Sequence, residues 1–237
     1  MDMRWSGRLR KAVFLERKSR FHGRVRDGRR VRTVHIPNSG RLRELLFPGN
    51  QVGYRPRRAD PGRRTQGTLL LARTPSGGWA SIDARLPPRL LLEYLQRHRA
   101  SLWGRLRAWR LEPPIPLGDH RGRLDLWVET DGGVWWVETK SVTLVRDGVG
   151  YFPDAVTVRG RHHVEALTAM HRAGYPVALV FVVQRSDARA AAVDGQTDPA
   201  LYEAVRSARA AGVPVRAFAC RVTWRSIRID REIPFGG

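Results

Sequence analysis

Gly122-Arg123-Leu124-Asp125-Leu126-Trp127-Val128-Glu129-Thr130, then Asp131-Gly132, then Gly133-Val134-Trp135-Trp136-Val137-Glu138-Thr139-Lys140 is the stretch on which the fold turns. Two alternating apolar runs flank an Asp-Gly pair, the strongest short-range signal of a β-hairpin. With Asp131-Gly132 as a two-residue turn, Thr130 pairs with Gly133 and Trp127 faces Trp136. Asp125 then falls opposite Glu138, and Lys140 lies one step further along. Leu124, Leu126 and Val128 share the other face with Trp135 and Val137, which makes that face core. Carboxylates directly across an antiparallel pair repel, and neighbouring carboxylates resist joint ionisation. A divalent ion, Mg2+ or Mn2+, resolves the conflict, because such ions bind through one or two carboxylates and keep several waters. The backbone carbonyl of Thr139 offers a third ligand. The ion polarises a phosphodiester and lowers the pKa of a water, while Lys140 orients that water or offsets developing charge. Asp followed by Glu-x-Lys on the next strand is thus what a metal-dependent nuclease needs. Two alternatives stand beside this one. Asp125 with Arg123 and Glu138 with Lys140 also fit surface ion pairs worth roughly 0–1 kcal/mol each. A three-residue loop over Asp131-Gly132-Gly133 would shift the register by one.

Around this hairpin the composition narrows the partners. The 237 residues carry 43 Lys and Arg against 22 Asp and Glu, a net charge of +21, which calls for a polyanion. Only Lys11, Lys18 and Lys140 are lysines, so Lys140 is a rare residue at a telling position. Residues 1–80 hold 20 basic against 5 acidic side chains (+15), and the rest 23 against 17 (+6). The first third is therefore the electrostatic footprint. No stretch reaches the ~20 apolar residues of a membrane span, and the N-terminus has no secretory pattern. Cys220 is the sole cysteine, so no intrachain disulfide forms, and a cytoplasmic location with a buried, inert thiol is expected.

The organisation predicts two domains. Over residues 1–84, strands are expected at 12–25, 31–36, 51–57 and 68–73, with Asp27-Gly28 as a turn and a short helix at 41–47. Several short strands around one brief helix suggest a small barrel of the OB type. From residue 85 to 237, helices are expected at 89–99, 159–173 and 199–211. Strands are expected at 106–111, 122–129, 134–140, 176–183 and 214–222. That alternation predicts an α/β (overall α+β) domain with a mixed sheet flanked by helices.

Phosphate-binding candidates follow from the charge. Arg24, Arg26, Arg29, Arg30 and Arg32 straddle a hairpin tip, and Arg55, Arg57, Arg58, Arg63 and Arg64 line a later loop. Trp5, Phe21 and Tyr54 are the nearby aromatics able to stack on bases. His35 and Asn38, at a strand end before a glycine turn, fit a structural turn or a base contact. Arg159 and His163 share a face at a helix N-terminus, where phosphate is favoured. His163 is a poor Mg2+ ligand. Asp154 either caps the next element or positions Arg159, or it belongs to a loop stapled by Tyr151 and Phe152.

Several of these motifs are longer than a bare D…ExK. Glu138-Thr139-Lys140-Ser141-Val142-Thr143-Leu144, the Gly150–Thr157 segment, Arg159-Gly160, His163, Gly122-Arg123-Leu124-Asp125 and His35-Ile36-Pro37-Asn38-Ser39-Gly40 resemble the sugar fermentation stimulation protein A family nearly end to end. Thr139 departs from the usual Val between Glu and Lys, a β-branched and nearly isosteric change. The resemblance implies an N-terminal OB-fold domain and a C-terminal PD-(D/E)xK nuclease-like domain. It implies Glu112 as an upstream acid, and nuclease activity on nucleic acid, DNA before RNA. It also implies the alternative of a non-catalytic DNA-binding regulator of sugar-utilisation genes. A basic RNA- or ribosome-associated protein is a third reading that needs no metal.

Overall fold

The structure, a computed structural model, describes residues 2–58, 62, 64–98, 103–118 and 122–236; Arg63 and Arg99 lie outside them. The first strands are β1 (Met3–Arg4), β2 (Arg10–Ser19), β3 (His22–Asp27), β4 (Arg30–His35), β5 (Gln51–Pro56), β6 (Gly67–Arg73) and β7 (Trp79–Ser81). The order β4-β3-β2-β5-β6-β7, with β4 returning to β6 at His35 and Thr68, closes β2–β6 into a five-stranded barrel carrying β7 at its side. Closure removes the free edges that an open sheet would leave unpaired. Asp27 pairs with Arg30, so Gly28-Arg29 forms the turn, and its left-handed φ of +60° at Gly28 suits a residue without a Cβ. Phe14, Val25, Val34, Ile36, Val52, Tyr54 and Leu69 fill the barrel.

The helix expected at 41–47 is replaced by turns. Leu42 takes a left-handed φ of 53°, and its N–H donates to Asp154 Oδ2 at 2.9 Å, away from any helical partner. Leu42, Leu45 and Leu46 instead plug the barrel core. The apolar spacing there reports burial of a compact turn.

The remaining elements are α1 (Pro87–Arg97), β8 (Leu106–Leu111), β9 (Leu126–Thr130), β10 (Gly133–Val142), β11 (Leu144–Arg146), β12 (Val149–Phe152), α2 (Val158–Arg172), β13 (Val177–Val183), β14 (Ala190–Val193), α3 (Pro199–Ala210), β15 (Val215–Val222), β16 (Ser226–Ile233) and β17 (Phe235–Gly236). A seven-stranded mixed sheet runs β1-β16-β15-β13-β10-β9-β8, with β10, β13 and β15 parallel at its centre. The all-apolar run Val177–Val183 is buried on both faces, as a central parallel strand must be. Leu90, Leu91, Leu92 and Leu95 of α1 cover one face over Val137, Ala178, Val180 and Cys220. Val164, Leu167 and Met170 of α2 with Leu201 and Val205 of α3 cover the other over Leu179, Phe181 and Ala217. Burial pushes the Cys220 thiol pKa up, so it is inert as expected. A small sheet, β11-β12-β14-β17, extends the second layer. Among the described residues no helix is long and apolar enough to cross a membrane.

The two halves interlock. β1 pairs with β16, so Met3-Arg4 sits on the large sheet although the sequence assigns residues 1–84 to the barrel. Ser81 N–H donates to the Gln184 carbonyl (3.0 Å), Gln184 Nε2 to the Asp83 carbonyl (2.9 Å), and the Trp79 and Trp224 rings lie 5.3 Å apart. A Cβ on Gly40 would collide with the Asp154 carboxylate and push it off the Leu42 N–H, so glycine suits the point where the barrel loop meets that side chain. Asp154 is therefore a clamp between the halves, and Thr157 caps α2 by accepting from Gly160 N–H at 3.1 Å.

Candidate active site

The hairpin folds in the expected register: Thr130 pairs with Gly133, Trp135 with Val128, Trp136 with Trp127 and Val137 with Leu126. The three-residue loop is thereby ruled out. Pairing stops at Leu126, which corrects the strand expected over 122–129. The preceding residues turn to the upstream segment instead: Leu124 N–H donates to the Pro113 carbonyl (3.0 Å) and Glu112 N–H to the Asp125 carbonyl (3.1 Å). Leu124 consequently packs with Val142 and Val164 on the α2 side, opposite to the face expected for it.

This departure leaves the far end of β10 without a neighbour on the β9 side. Trp136 N–H and the Val142 carbonyl both bond towards β13. Strand alternation therefore turns the Thr139 backbone to the open edge. Asp125 fills part of that gap with its side chain. Its Oδ2 accepts from Thr139 N–H (2.9 Å) and Thr139 Oγ1 (2.5 Å). Thr139 thus does more than replace a valine, since its hydroxyl orients the carboxylate.

On the α2 side of the sheet, Glu138 is 3% exposed and Lys140 7%. Lys140 Nζ donates to Glu138 Oε1 at 2.7 Å, and His163 Nδ1, from α2, meets the same oxygen at 2.6 Å. Arg159 Nε donates to His163 Nε2 at 3.5 Å. Glu138 Oε2 is buried and finds no partner. Asp125 Oδ1 likewise has no protein donor among the described residues. The surface-pair reading fails: the Glu138–Lys140 pair is buried, and Arg123 donates to the Glu112 carbonyl (2.7 Å) instead of pairing with Asp125.

The two carboxylates respond oppositely to burial. Asp125 is raised above the usual carboxylate range, first by desolvation and then by the charge of Glu138. For Glu138 burial acts upward, yet the Lys140 ammonium and then His163 hold it below its ordinary value. One acid is electrostatically satisfied and its neighbour is not. Among the described residues no group of three or more His, Cys, Asp or Glu side chains is arranged to hold a metal, so any ion here draws on two carboxylates and backbone.

Asp125 opens on a cleft of about 860 Å3 between the halves, lined also by Glu112, Arg4, Arg55, Arg85 and Arg159. Glu112, at φ 50°, is exposed there beside Asp125. Arg4 and Arg85 escaped the sequence reading because nothing local separates them from the other arginines. The bond from His163 to Glu138, 25 residues apart, has no local signal in the sequence, where the spacing from Arg159 points only to a shared helix face.

The barrel candidates divide. Arg26, Arg29, Arg30, Arg57 and Arg58 are exposed. Arg24 is held by Glu16 at 2.9 Å, Arg32 lies 3.7 Å from Asp27, and Arg55 donates to Ser6. His35, contacting the Phe21 carbonyl, is lowered by burial first and then by nearby charges including Arg85, so it is neutral at pH 7. Asn38 leaves the expected interface: it is buried, its Nδ2 donates to the Ile82 carbonyl (3.0 Å) and its Oδ1 accepts from Gly40 N–H (2.8 Å). Tyr54 also leaves it, being fully buried with its hydroxyl on Asp27. Phe21 stays 43% exposed, and Trp5 is half-buried with Nε1 on the Thr223 carbonyl.

Comparison with known proteins accounts for both halves. Residues 15–82 match the SfsA N-terminal OB domain, and residues 85–226 match the sugar fermentation stimulation protein RE domain. A sugar fermentation stimulation protein homolog of Desulforamulus reducens is 38% identical over 226 residues, covering 95% of this chain and 92% of that one. One from Symbiobacterium thermophilum is 39% identical over 247 residues, covering 96% and 94%. The structure of Pyrococcus furiosus SfsA in complex with Ca2+ superposes with a TM-score of 0.86 at 28% identity, over 100% of this chain and 99% of that one. With its barrel, its mixed-sheet domain and its Glu-Thr-Lys strand all accounted for, the chain belongs to the sugar fermentation stimulation protein family.

Proposed function

We propose that this protein is a nucleic-acid-binding, metal-dependent nuclease with a PD-(D/E)xK-type site, acting on DNA before RNA. The observation that carries the reading is the meeting of Asp125 and Glu112 with arginines in one cleft, with Asp125 bonded to the residue between Glu138 and Lys140. A fold gains nothing from a raised, half-satisfied Asp125 beside a buried carboxylate oxygen without a partner. Both features suit a divalent cation. Asp125 and Glu138 would hold it with the Thr139 carbonyl, and Ca2+ in the Pyrococcus furiosus relative supports a divalent site in the family. When bound, Mg2+ or Mn2+ would polarise a phosphodiester and lower the pKa of a water.

The chain's own groups do the rest. Arg4, Arg85 and Arg159 hold backbone phosphates along the cleft. Lys140 keeps an ammonium beside the reacting centre, where it orients the attacking water and offsets charge on the phosphoryl oxygens. His163 fixes the Glu138 carboxylate through Oε1 and acts by positioning. One observation favours the regulator reading: Lys140 and His163 already occupy Glu138 Oε1, as in a site kept only for its fold.

Labelled single- and double-stranded DNA and RNA, incubated with Mg2+, Mn2+ or EDTA, separate the two. The nuclease reading expects metal-dependent cutting that falls about 10²-fold or more in Lys140→Gln, which keeps a hydrogen-bond donor for the buried Glu138 carboxylate, with binding retained. Tight binding with no cutting under either metal would establish the regulator instead.

A further inference from the structure

A second basic surface adjoins the cleft and extends beyond the site above. A cavity of about 900 Å3 shares Arg4 and Trp5 with the cleft and continues past Arg8, Trp224 and Arg225. A further cavity of about 630 Å3 shares Arg8, Leu9 and Trp224 with that one and ends at Arg10, Lys11 and Asp27, the last of which flanks the turn at the tip of the arginine-rich β3–β4 hairpin. The shared lining makes one run from Asp125 to the hairpin tip. Arg4, Arg8 and Arg225 are exposed, and none has a carboxylate partner among the described residues. The two acids on the way are already engaged, Asp2 by Arg228 (3.3 Å) and Asp27 by Arg10 (3.0 Å). Trp224 packs against Trp79 on one side, and Lys11 Nζ lies 5.7 Å from its ring centroid. A half-buried indole with a cation beside it, inside an arginine-lined groove, is the composition of a base-stacking platform.

We propose that single-stranded nucleic acid leaving the cleft runs along this tract, with phosphates on Arg4, Arg8, Arg225 and Lys11 and a base stacked on Trp224. The tract rests on the nucleic-acid reading of the cleft, and extends it to a second binding segment built from the N-terminal strand and the β15–β16 turn. It also connects the cleft to the arginine hairpin of the barrel.

The test is anisotropy of labelled single-stranded DNA of about 6 and about 20 nucleotides, without added metal, on the full chain. Arg8→Ala with Arg225→Ala is the main variant, because Trp224 also contacts Gly53 and its loss disturbs packing. The longer strand should bind the wild type more tightly than the short one. The double variant should lose about tenfold for the long strand, with a salt slope shallower by about 1.4, and change little for the short one. Trp224→Phe, which keeps a ring, should retain most of the long-strand affinity. Unchanged long-strand affinity and salt slope in the double variant would overturn the tract while leaving the cleft reading intact. A wild type that binds neither strand would overturn both.

Discussion

Glu138→Gln is expected to reduce the proposed metal-dependent cleavage by about 10²–10³-fold, the scale on which a single preorganised electrostatic group contributes to catalysis, and to leave oligonucleotide affinity within about twofold. Gln is chosen over Ala for a physical reason. Glu138 is 3% exposed and accepts from Lys140 and His163, so deleting it strands a buried ammonium. Breaking one side of a buried pair costs about 3–5 kcal/mol, and lost folding would then imitate lost catalysis. Gln keeps the volume and one acceptor oxygen while it removes the charge that an ion needs. Binding should persist because the proposed phosphate contacts are to arginines lining the cleft. Measured side by side, single-turnover cleavage falls and anisotropy does not. Equal cleavage by wild type and Glu138→Gln would remove Glu138 from the mechanism.

Asp125→Asn is expected to reduce the proposed cleavage to a similar degree yet to stabilise the metal-free protein at pH 7. Asp125 is raised by burial and by the Glu138 charge. Between its ordinary value of 3.8 and the raised one, the folded state holds more protons than the unfolded state. Stability therefore falls as pH rises through that window, and the penalty is complete above it. Asn keeps an oxygen for Thr139 N–H and Oγ1 but carries no charge, so the penalty is absent at every pH. The expected result is a thermal midpoint a few degrees above wild type in EDTA at pH 7, the scale on which about 1 kcal/mol moves a chain of this size. The difference shrinks towards pH 4 as the wild-type carboxyl protonates. Added Mn2+ raises the wild-type midpoint and leaves that of Asp125→Asn in place. A variant less stable than wild type in EDTA would mean that the carboxylate serves the fold.

Much of this site is readable from the chain because its strongest signals are local. Asp131-Gly132 sets the hairpin turn, and a two-residue turn sets the register that places Trp127 beside Trp136. The apolar run Val177–Val183 declares a buried strand in the same way. What escaped the sequence depends on contacts distant along the chain. Asp125 does not face Glu138 as a cross-strand pair, because Leu124 and Asp125 bond to Glu112 and Pro113 and release β10. The turn at Leu42 depends on Asp154, 112 residues away. Asn38 carries the composition of a contact residue and spends it on Ile82 and Gly40. Uniform arginine content conceals Arg4 and Arg85, whose place in the cleft follows from docking between the halves.

The most direct measurement is Mn2+ binding, followed by electron paramagnetic resonance, to wild type, Asp125→Asn and Glu138→Gln without nucleic acid. The account expects the wild type to take up Mn2+ at a saturable site that both substitutions weaken at least tenfold. Mn2+ uptake unaffected by either substitution, or none by the folded wild type, would contradict it.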